Sequence, residues 1–154
     1  MATTITPDSL ITTITESISL NGHEYGNEII KTFATQGKVD QRIMELAPKG
    51  DNGDAWTTIL ALSTADSKGT IIVNDFAYVR LTNLDDTATA NIELYNGTDY
   101  IYIKIDAGES FLLMSPDIDY LVASGEPTYE DIEQINGQAD SGDVVEIEYV
   151  IVSA

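Results

Sequence analysis

Histidine and cysteine, which many enzymes use as bases and nucleophiles, are nearly absent from this chain. His23 is the single histidine, there is no cysteine, and no serine lies in the G-x-S-x-G sequence of a nucleophile elbow. A lone histidine after a turn is usually solvated. Two carboxylates can hydrolyse glycosides, but nothing distinguishes one pair among the 26 acidic residues. We therefore predict that the protein is not an enzyme and has no catalytic residue.

Two oxygen-rich loops are the candidates for cation binding. Asp51 and Asp54 flank an Asn-Gly pair, and Asp85 and Asp86 are adjacent in a later turn. Calcium prefers several oxygen ligands, but neither loop has the EF-hand spacing, and aspartate in turns commonly accepts hydrogen bonds from its own backbone. We expect no cofactor, with calcium at these aspartates as the alternative.

The acidic charge is unevenly distributed along the chain. The formal net charge is −19, of which residues 1–50 contribute −2 and residues 51–154 contribute −17. Such a surface repels phosphate backbones, so nucleic-acid binding is not expected. The charge is either a solvated acidic surface or a docking surface for a basic partner. In the second case the near-neutral first third is the expected contact region, with the candidates Ile5, Leu10, His23, Tyr25, Ile29 and Phe33.

Neither a membrane span nor a secretion signal is indicated. No run approaches the roughly 18 apolar residues of a spanning helix. The first residues lack the basic and apolar regions of a signal peptide. We expect no membrane partner, and a protein that stays in the compartment where it is made.

Short apolar runs separated by turn signals predict an all-β chain. Residues 76–114 contain four such runs, separated by clusters that include Asn96-Gly97 and Gly108. Turn signals every 8–12 residues favour an antiparallel β-sandwich with little helix. We expect residues 1–9 to be a mobile arm and residues 10–154 to be a single sandwich domain.

Alternation of apolar and polar residues predicts the individual strands. Residues 10–20 read as one strand with a buried face, Asn21-Gly22 as a hairpin turn, and residues 23–33 as extended rather than helical. Residues 132–139 and 144–152 read as a terminal hairpin. Residues 110–114 read as a strand covered on both sides. The surest predicted core residues are Ile101, Ile103 and Ile105.

The aromatic residues offer an alternative function. Tyr78, Tyr100 and Tyr102 alternate with the apolar residues of their strands and are predicted to lie on the opposite face. Exposed aromatic faces stack on sugars, so a glycan-binding module is a second hypothesis. Such tyrosines also suit a half-exposed strand face.

Three segments carry a resemblance to a known family. They are Arg-Leu-Thr-Asn-Leu-Asp at 80–85, Gly-Glu-Ser-Phe at 108–111 and Glu-Ile-Glu-Tyr-Val at 146–150. Together they resemble small virion structural proteins of tailed bacteriophages, over about half of the chain. The first 50 residues do not match that pattern.

This resemblance implies a non-enzymatic structural subunit with a jelly-roll-like sandwich. Its expected role is capsid decoration, in which a cement protein binds and stabilises the lattice of the major capsid protein. A tail- or fibre-associated subunit is the alternative. The expected location is the virion, after synthesis in the host cytoplasm. Because closed rotational symmetry is usual for homo-oligomers, we expect a homotrimer.

Overall fold

The structure is a computed structural model that describes residues 9–34, 38–50, 56–62, 64, 71–114, 119–122, 128–140 and 142–153. Fourteen β-strands account for most of these residues. The strands are β1 Ser9–Thr15, β2 Ile18–Leu20, β3 His23–Tyr25, β4 Glu28–Ala34, β5 Val39–Leu46, β6 Thr57–Ala61, β7 Phe76–Asn83, β8 Ala90–Tyr95, β9 Tyr100–Ile105, β10 Ser110–Met114, β11 Asp119–Val122, β12 Thr128–Asp131, β13 Gln134–Ala139 and β14 Val145–Ser153.

Helix is confined, within these described ranges, to one short 3-10 turn at Val73–Asp75. The described part of the chain accordingly contains no helix with the length and apolar character needed to cross a bilayer.

Eight of the strands form two four-stranded antiparallel sheets. The strand order is β10-β7-β14-β5 in the first sheet and β6-β13-β8-β9 in the second. Numbered one to eight along the chain, these strands run 6-3-8-1 and 2-7-4-5. This interleaving of two Greek keys is the topology of a jelly roll. The predicted all-β, jelly-roll-like sandwich is confirmed.

The core lies between the two sheets and follows the period of two along each strand. Alternate residues of β7 and β14 point inward from the first sheet, and alternate residues of β8 and β13 point inward from the second. A strand buried on one face alternates in this way because successive side chains point to opposite sides. The largest fully buried side chains include Leu46, Phe76, Val79, Leu81, Ile92, Ile132, Ile135, Ile147 and Ile151.

The predicted terminal hairpin is wrong. The strands β13 and β14 belong to opposite sheets, because β13 pairs with β6 and β8 while β14 pairs with β5 and β7. The connection between them therefore crosses the sandwich. Local turn residues are similar in both arrangements, so the sequence between the strands could not distinguish a hairpin from a crossover.

The predicted isoleucine core is only partly correct. Ile105 is buried, Ile103 is half-buried and Ile101 is 37% exposed. The reason is that β9 is the edge strand of the second sheet, where the first sheet no longer covers the whole of its inner face. The strand β10 is the edge of the first sheet, and its side chains at 111–114 are half-buried rather than covered on both sides.

Residues 9–34 form a long hairpin, here called the N-terminal ribbon. The strands β1 and β4 pair at its base, β2 and β3 pair at its tip, and Asn21 and Gly22 make the turn with φ of 52° and 78°. Positive φ at both positions matches the turn type that suits hairpins. The predicted hairpin and the extended conformation of 23–33 are confirmed, but the predicted strand at 10–20 is interrupted at residues 16 and 17.

Candidate functional sites

The N-terminal ribbon exposes apolar side chains that the sandwich does not cover. All residues from 15 to 30 are exposed. Two-stranded ribbons are only marginally stable alone in water, and exposed aliphatic side chains favour contact with another surface. The large apolar residues of the ribbon that are 47–62% exposed are Ile11, Ile18, Leu20, Tyr25, Ile29 and Ile30.

At the tip these side chains share one face. Ile18 pairs with Tyr25, and Leu20 pairs with His23, so all four lie on the same side of the two strands because directly paired residues share a face. Gly26 fixes the bend below the tip, since a Cβ there would lie 2.1 Å from the carbonyl oxygen of Glu16. The tip thus presents a small apolar and aromatic surface on a defined bend.

The base of the ribbon is packed on the sandwich. Phe33 is buried against Tyr78, with ring centroids 6.1 Å apart and an edge-to-face arrangement. Leu10 packs against the same small cluster, which also includes Ala77 and Val152. Phe33 therefore anchors the ribbon, and its burial removes it from the exposed surface on which it was predicted.

Of the other predicted contact residues, three are exposed on the ribbon. His23, Tyr25 and Ile29 lie in β3 and β4 with solvent-accessible side chains, whereas Leu10 is half-buried. Ile5 lies outside the described residues, as do Asp51 and Asp54. The structure thus brings His23 and Tyr25 together at the tip and places Leu10 and Phe33 at the base.

A second candidate surface is the outer face of the sheet β6-β13-β8-β9. Its residues form transverse rows because strand partners share a face. One row is Gln134, Tyr95 and Tyr100; the next is Asn136, Glu93 and Tyr102; the third is Gln138, Asn91 and Lys104. This face is therefore polar and aromatic throughout, opposite the apolar core face.

Aromatic rings connect the two edges of this sheet. Tyr95 stacks on Tyr100 with centroids 4.7 Å apart, and Tyr100 lies 6.1 Å from Tyr102. Tyr102, on the edge strand β9, then meets Trp56, which directly precedes the other edge strand β6, at 5.8 Å. Backbones three strands apart lie about 14 Å from one another, so these two rings reach toward each other over the central strands. We call Trp56 and Tyr102 the aromatic clasp.

Polar side chains are buried on the central strands of this face. Glu93 and Asn136 are buried, and the Asn136 amide donates a 2.9 Å hydrogen bond to Glu93 Oε1. The pKa of Tyr102 is raised, first by loss of water around its hydroxyl and then by the nearby negative charge of Glu93. Like any phenol with a pKa well above neutrality, the Tyr102 hydroxyl is protonated at neutral pH and can donate a hydrogen bond.

An open groove of about 440 Å³ lies beside the aromatic clasp. Gln138 lies in the groove and is buried, yet its Oε1 has no hydrogen-bond partner within the residues that the structure describes. Buried side-chain acceptors normally have a partner. The residues lining the groove are Lys49, Trp56, Asn91, Tyr102, Ile103, Lys104 and Gln138.

The predicted aromatic face was only partly correct. Tyr100 and Tyr102 do share an exposed face, but Tyr78 lies in the other sheet and is buried under Phe33. The groove residues Trp56 and Gln138 were missed, because their position depends on strand pairings distant in sequence. The polar–apolar alternation at 134–138 is the one local signal that could have placed Gln138 on an outer face.

The Asp85 loop is held by its own backbone. Asp85 Oδ1 accepts hydrogen bonds from the amides of Thr87 at 2.8 Å and Ala88 at 2.7 Å, and from the Thr87 hydroxyl at 3.2 Å. This is the turn chemistry expected of aspartate, and that oxygen is already occupied. Within the described residues, Asp85 and Asp86 belong to no group of three or more His, Cys, Asp or Glu side chains that could hold a metal ion.

The same contacts predict an acid-sensitive turn. Hydrogen bonds from the Ala88 and Thr87 amides lower the pKa of Asp85 from the ordinary value of 3.8. Because the folded pKa is depressed, the stabilisation is fully present only well above the ordinary pKa of 3.8, and it is lost as the pH falls through the folded pKa. A carbon-13 NMR titration should give a midpoint below 3.8 for this carboxyl, and a midpoint at or above that value would contradict the capping role.

Comparison with protein-family models and with curated proteins gave no match to this chain. The two surfaces therefore rest on their own geometry.

Proposed function

We propose that the protein is a non-enzymatic structural subunit of a tailed-phage virion, and that it decorates the capsid by binding the lattice of the major capsid protein. The observation that carries this proposal is the N-terminal ribbon. A finished sandwich needs no further strands to bury its core, yet this chain adds a hairpin whose tip exposes Ile18, Leu20 and Tyr25. Covering these apolar groups with another subunit removes them from water and so lowers the free energy of the assembly.

Charge supports the ribbon as the contact element. The ribbon has three acidic residues and one basic residue, while the remainder of the chain holds most of the −19 net charge. Copies of so acidic a protein repel one another and other acidic surfaces. An assembly contact costs less electrostatically where the net charge is low, and the ribbon, with three acidic residues and one basic residue, is such a region.

The fold is compatible with this role by analogy. Jelly rolls occur in viral capsid proteins, but also in lectins and in unrelated enzymes. The analogy therefore supports a structural role only together with the ribbon. We further propose that three copies form a closed ring, so that three ribbons can contact a symmetric site in the shell.

Particles purified from infected host cells test the proposal. We expect the protein in those particles at a high copy number that is a simple multiple of the shell lattice, measured by quantitative mass spectrometry. Replacing Ile18 and Leu20 together by serine should lower incorporation at least tenfold, because each aliphatic side chain loses about 1.5–3 kcal/mol of burial and about 1.4 kcal/mol is a factor of ten.

The matched control replaces Val39 and Ile43 by serine. Both are 61% exposed and lie on β5, outside the ribbon, so this variant should enter particles normally. Equal loss in both variants would show that the ribbon is not the contact element. Recovery of the protein only from cell lysate would overturn the structural role, and a few copies at the tail would replace decoration by a tail role. A light-scattering mass of one 16.7 kDa chain would contradict the trimer.

A further inference from the structure

The groove beside the aromatic clasp combines two features that suit a ligand site. One is an open aromatic surface, since Tyr102 is 62% exposed. The other is the Gln138 side-chain carbonyl, buried and unpaired within the described residues. Leaving a buried acceptor unpaired costs about 1–3 kcal/mol. We propose that this groove binds a neutral carbohydrate, whose hydroxyl group donates the missing hydrogen bond to Gln138 Oε1.

The shape of the groove fits a sugar chain rather than an ion. Its volume of about 440 Å³ falls within the roughly 300–1,000 Å³ of small-molecule sites. The apolar C–H face of a pyranose ring packs on Tyr102, because aromatic rings offer a flat apolar surface with a polar edge. Lys49 lies along the same groove and can donate to hydroxyl or ring oxygens.

Charge identifies the ligand as neutral. The Lys104 ammonium lies 2.7 Å from Asp106 Oδ1, and the Asn91 amide donates a 2.9 Å hydrogen bond to Asp140 Oδ1. These acids offset the positive charge at this end of the groove. Since the whole molecule is strongly acidic, it repels uronic acids and sulfated glycans. A neutral polyhydroxylated ligand is not repelled by the negative charge of the protein.

Binding can be followed by the protein's own fluorescence, because Trp56 is the single tryptophan and lines the groove. An array of neutral glycans, which includes cellohexaose, maltohexaose and mannohexaose, first identifies the hexasaccharide that binds. That hexasaccharide is then used for the fluorescence titration. We expect a saturable fluorescence change with Kd near or below about 1 mM. Tyr102→Ala removes the stacking surface, and Gln138→Leu removes the hydrogen-bond acceptor. Each substitution should weaken binding about tenfold.

The matched control is Tyr25→Ala, which removes a tyrosine of similar exposure from the ribbon and should leave the titration unchanged. Gln138→Leu and Tyr102→Ala should keep the circular dichroism spectrum of the parent protein, so that weaker binding reports the loss of a groove side chain rather than the loss of the fold. Absence of binding across the array, binding of acidic glycans only, or binding unchanged in both groove variants would overturn the proposal. None of these outcomes depends on incorporation into particles, so the carbohydrate site and the assembly role fail separately.

Discussion

Replacing Asn83 by alanine should destabilise the fold by about 3 kcal/mol, because three hydrogen bonds worth about 1 kcal/mol each are lost. Asn83 is fully buried at the end of β7. Its Nδ2 donates to the carbonyl of Ala88 at 2.8 Å and to that of Ile105 at 3.2 Å, and its Oδ1 accepts from the Asp85 amide at 3.0 Å. Ile105 belongs to the other sheet, so this one amide joins both sheets and the turn between them.

Denaturant unfolding measures this loss, and two further variants make it specific. Asn83→Asp keeps the oxygen that accepts from the Asp85 amide but replaces the donating Nδ2 by a second oxygen, which faces the carbonyls of Ala88 and Ile105. This variant should therefore be at least as destabilising as Asn83→Ala. The neighbouring Thr82→Ala removes only an exposed 2.8 Å hydrogen bond to Ser110 and should cost less than about 0.5 kcal/mol. A loss at Asn83→Ala no larger than at Thr82→Ala would refute the proposed tie between the sheets.

Replacing Gly137 by alanine should cost about 1–3 kcal/mol, the usual penalty for overpacking a core. Gly137 lies on the inner face of β13, and a Cβ there would lie 2.8 Å from Leu46 Cδ2 and 2.9 Å from Ile59 Cδ1. Leu46 and Ile59 are themselves buried between the sheets, so neither can move without displacing its neighbours.

Gly142→Ala is the matched control for Gly137→Ala. A Cβ at position 142 would meet no atom within 4 Å, so this substitution should be neutral, or stabilising by less than about 1 kcal/mol through the unfolded chain. Thermal melts of both variants make the comparison. Equal melting temperatures would show that Leu46 and Ile59 can move to make room for the added Cβ, and would contradict tight packing around Gly137.

The period of two identified most strands, but not the sheet to which each belongs. Ile101, Ile103 and Ile105 alternate perfectly, yet only Ile105 is fully buried, because position within a sheet is decided by pairing partners that are distant in sequence. The same limit explains the wrong terminal hairpin. Burial at an edge depends on how many neighbours a strand has, and a strand's own sequence does not specify that number.

The three segments of the bacteriophage resemblance lie side by side in one sheet. Arg80 on β7 forms a 2.6 Å ion pair with Glu148 on β14, and Thr82 contacts Ser110 on β10. Asn83 and Asp85 then hold the following turn. These residues fix the sandwich and touch neither the ribbon tip nor the groove. The sequence could therefore predict the fold from them, while the two candidate surfaces required the assembled sheets.

The position of β14 has a consequence for biogenesis. This strand lies between β5 and β7, and its pairing joins Val152 to Val39 across more than a hundred residues. Until the ribosome has released 145–153, the first sheet has a gap at its centre and the growing chain exposes two unpaired strand edges. The strands of the ribbon, by contrast, pair with one another within residues 9–34. We expect the sandwich to form only after synthesis of this segment, as a slow step typical of high contact order, and the base of the ribbon to dock on it at the same stage, because Phe33 packs with Val152 of β14.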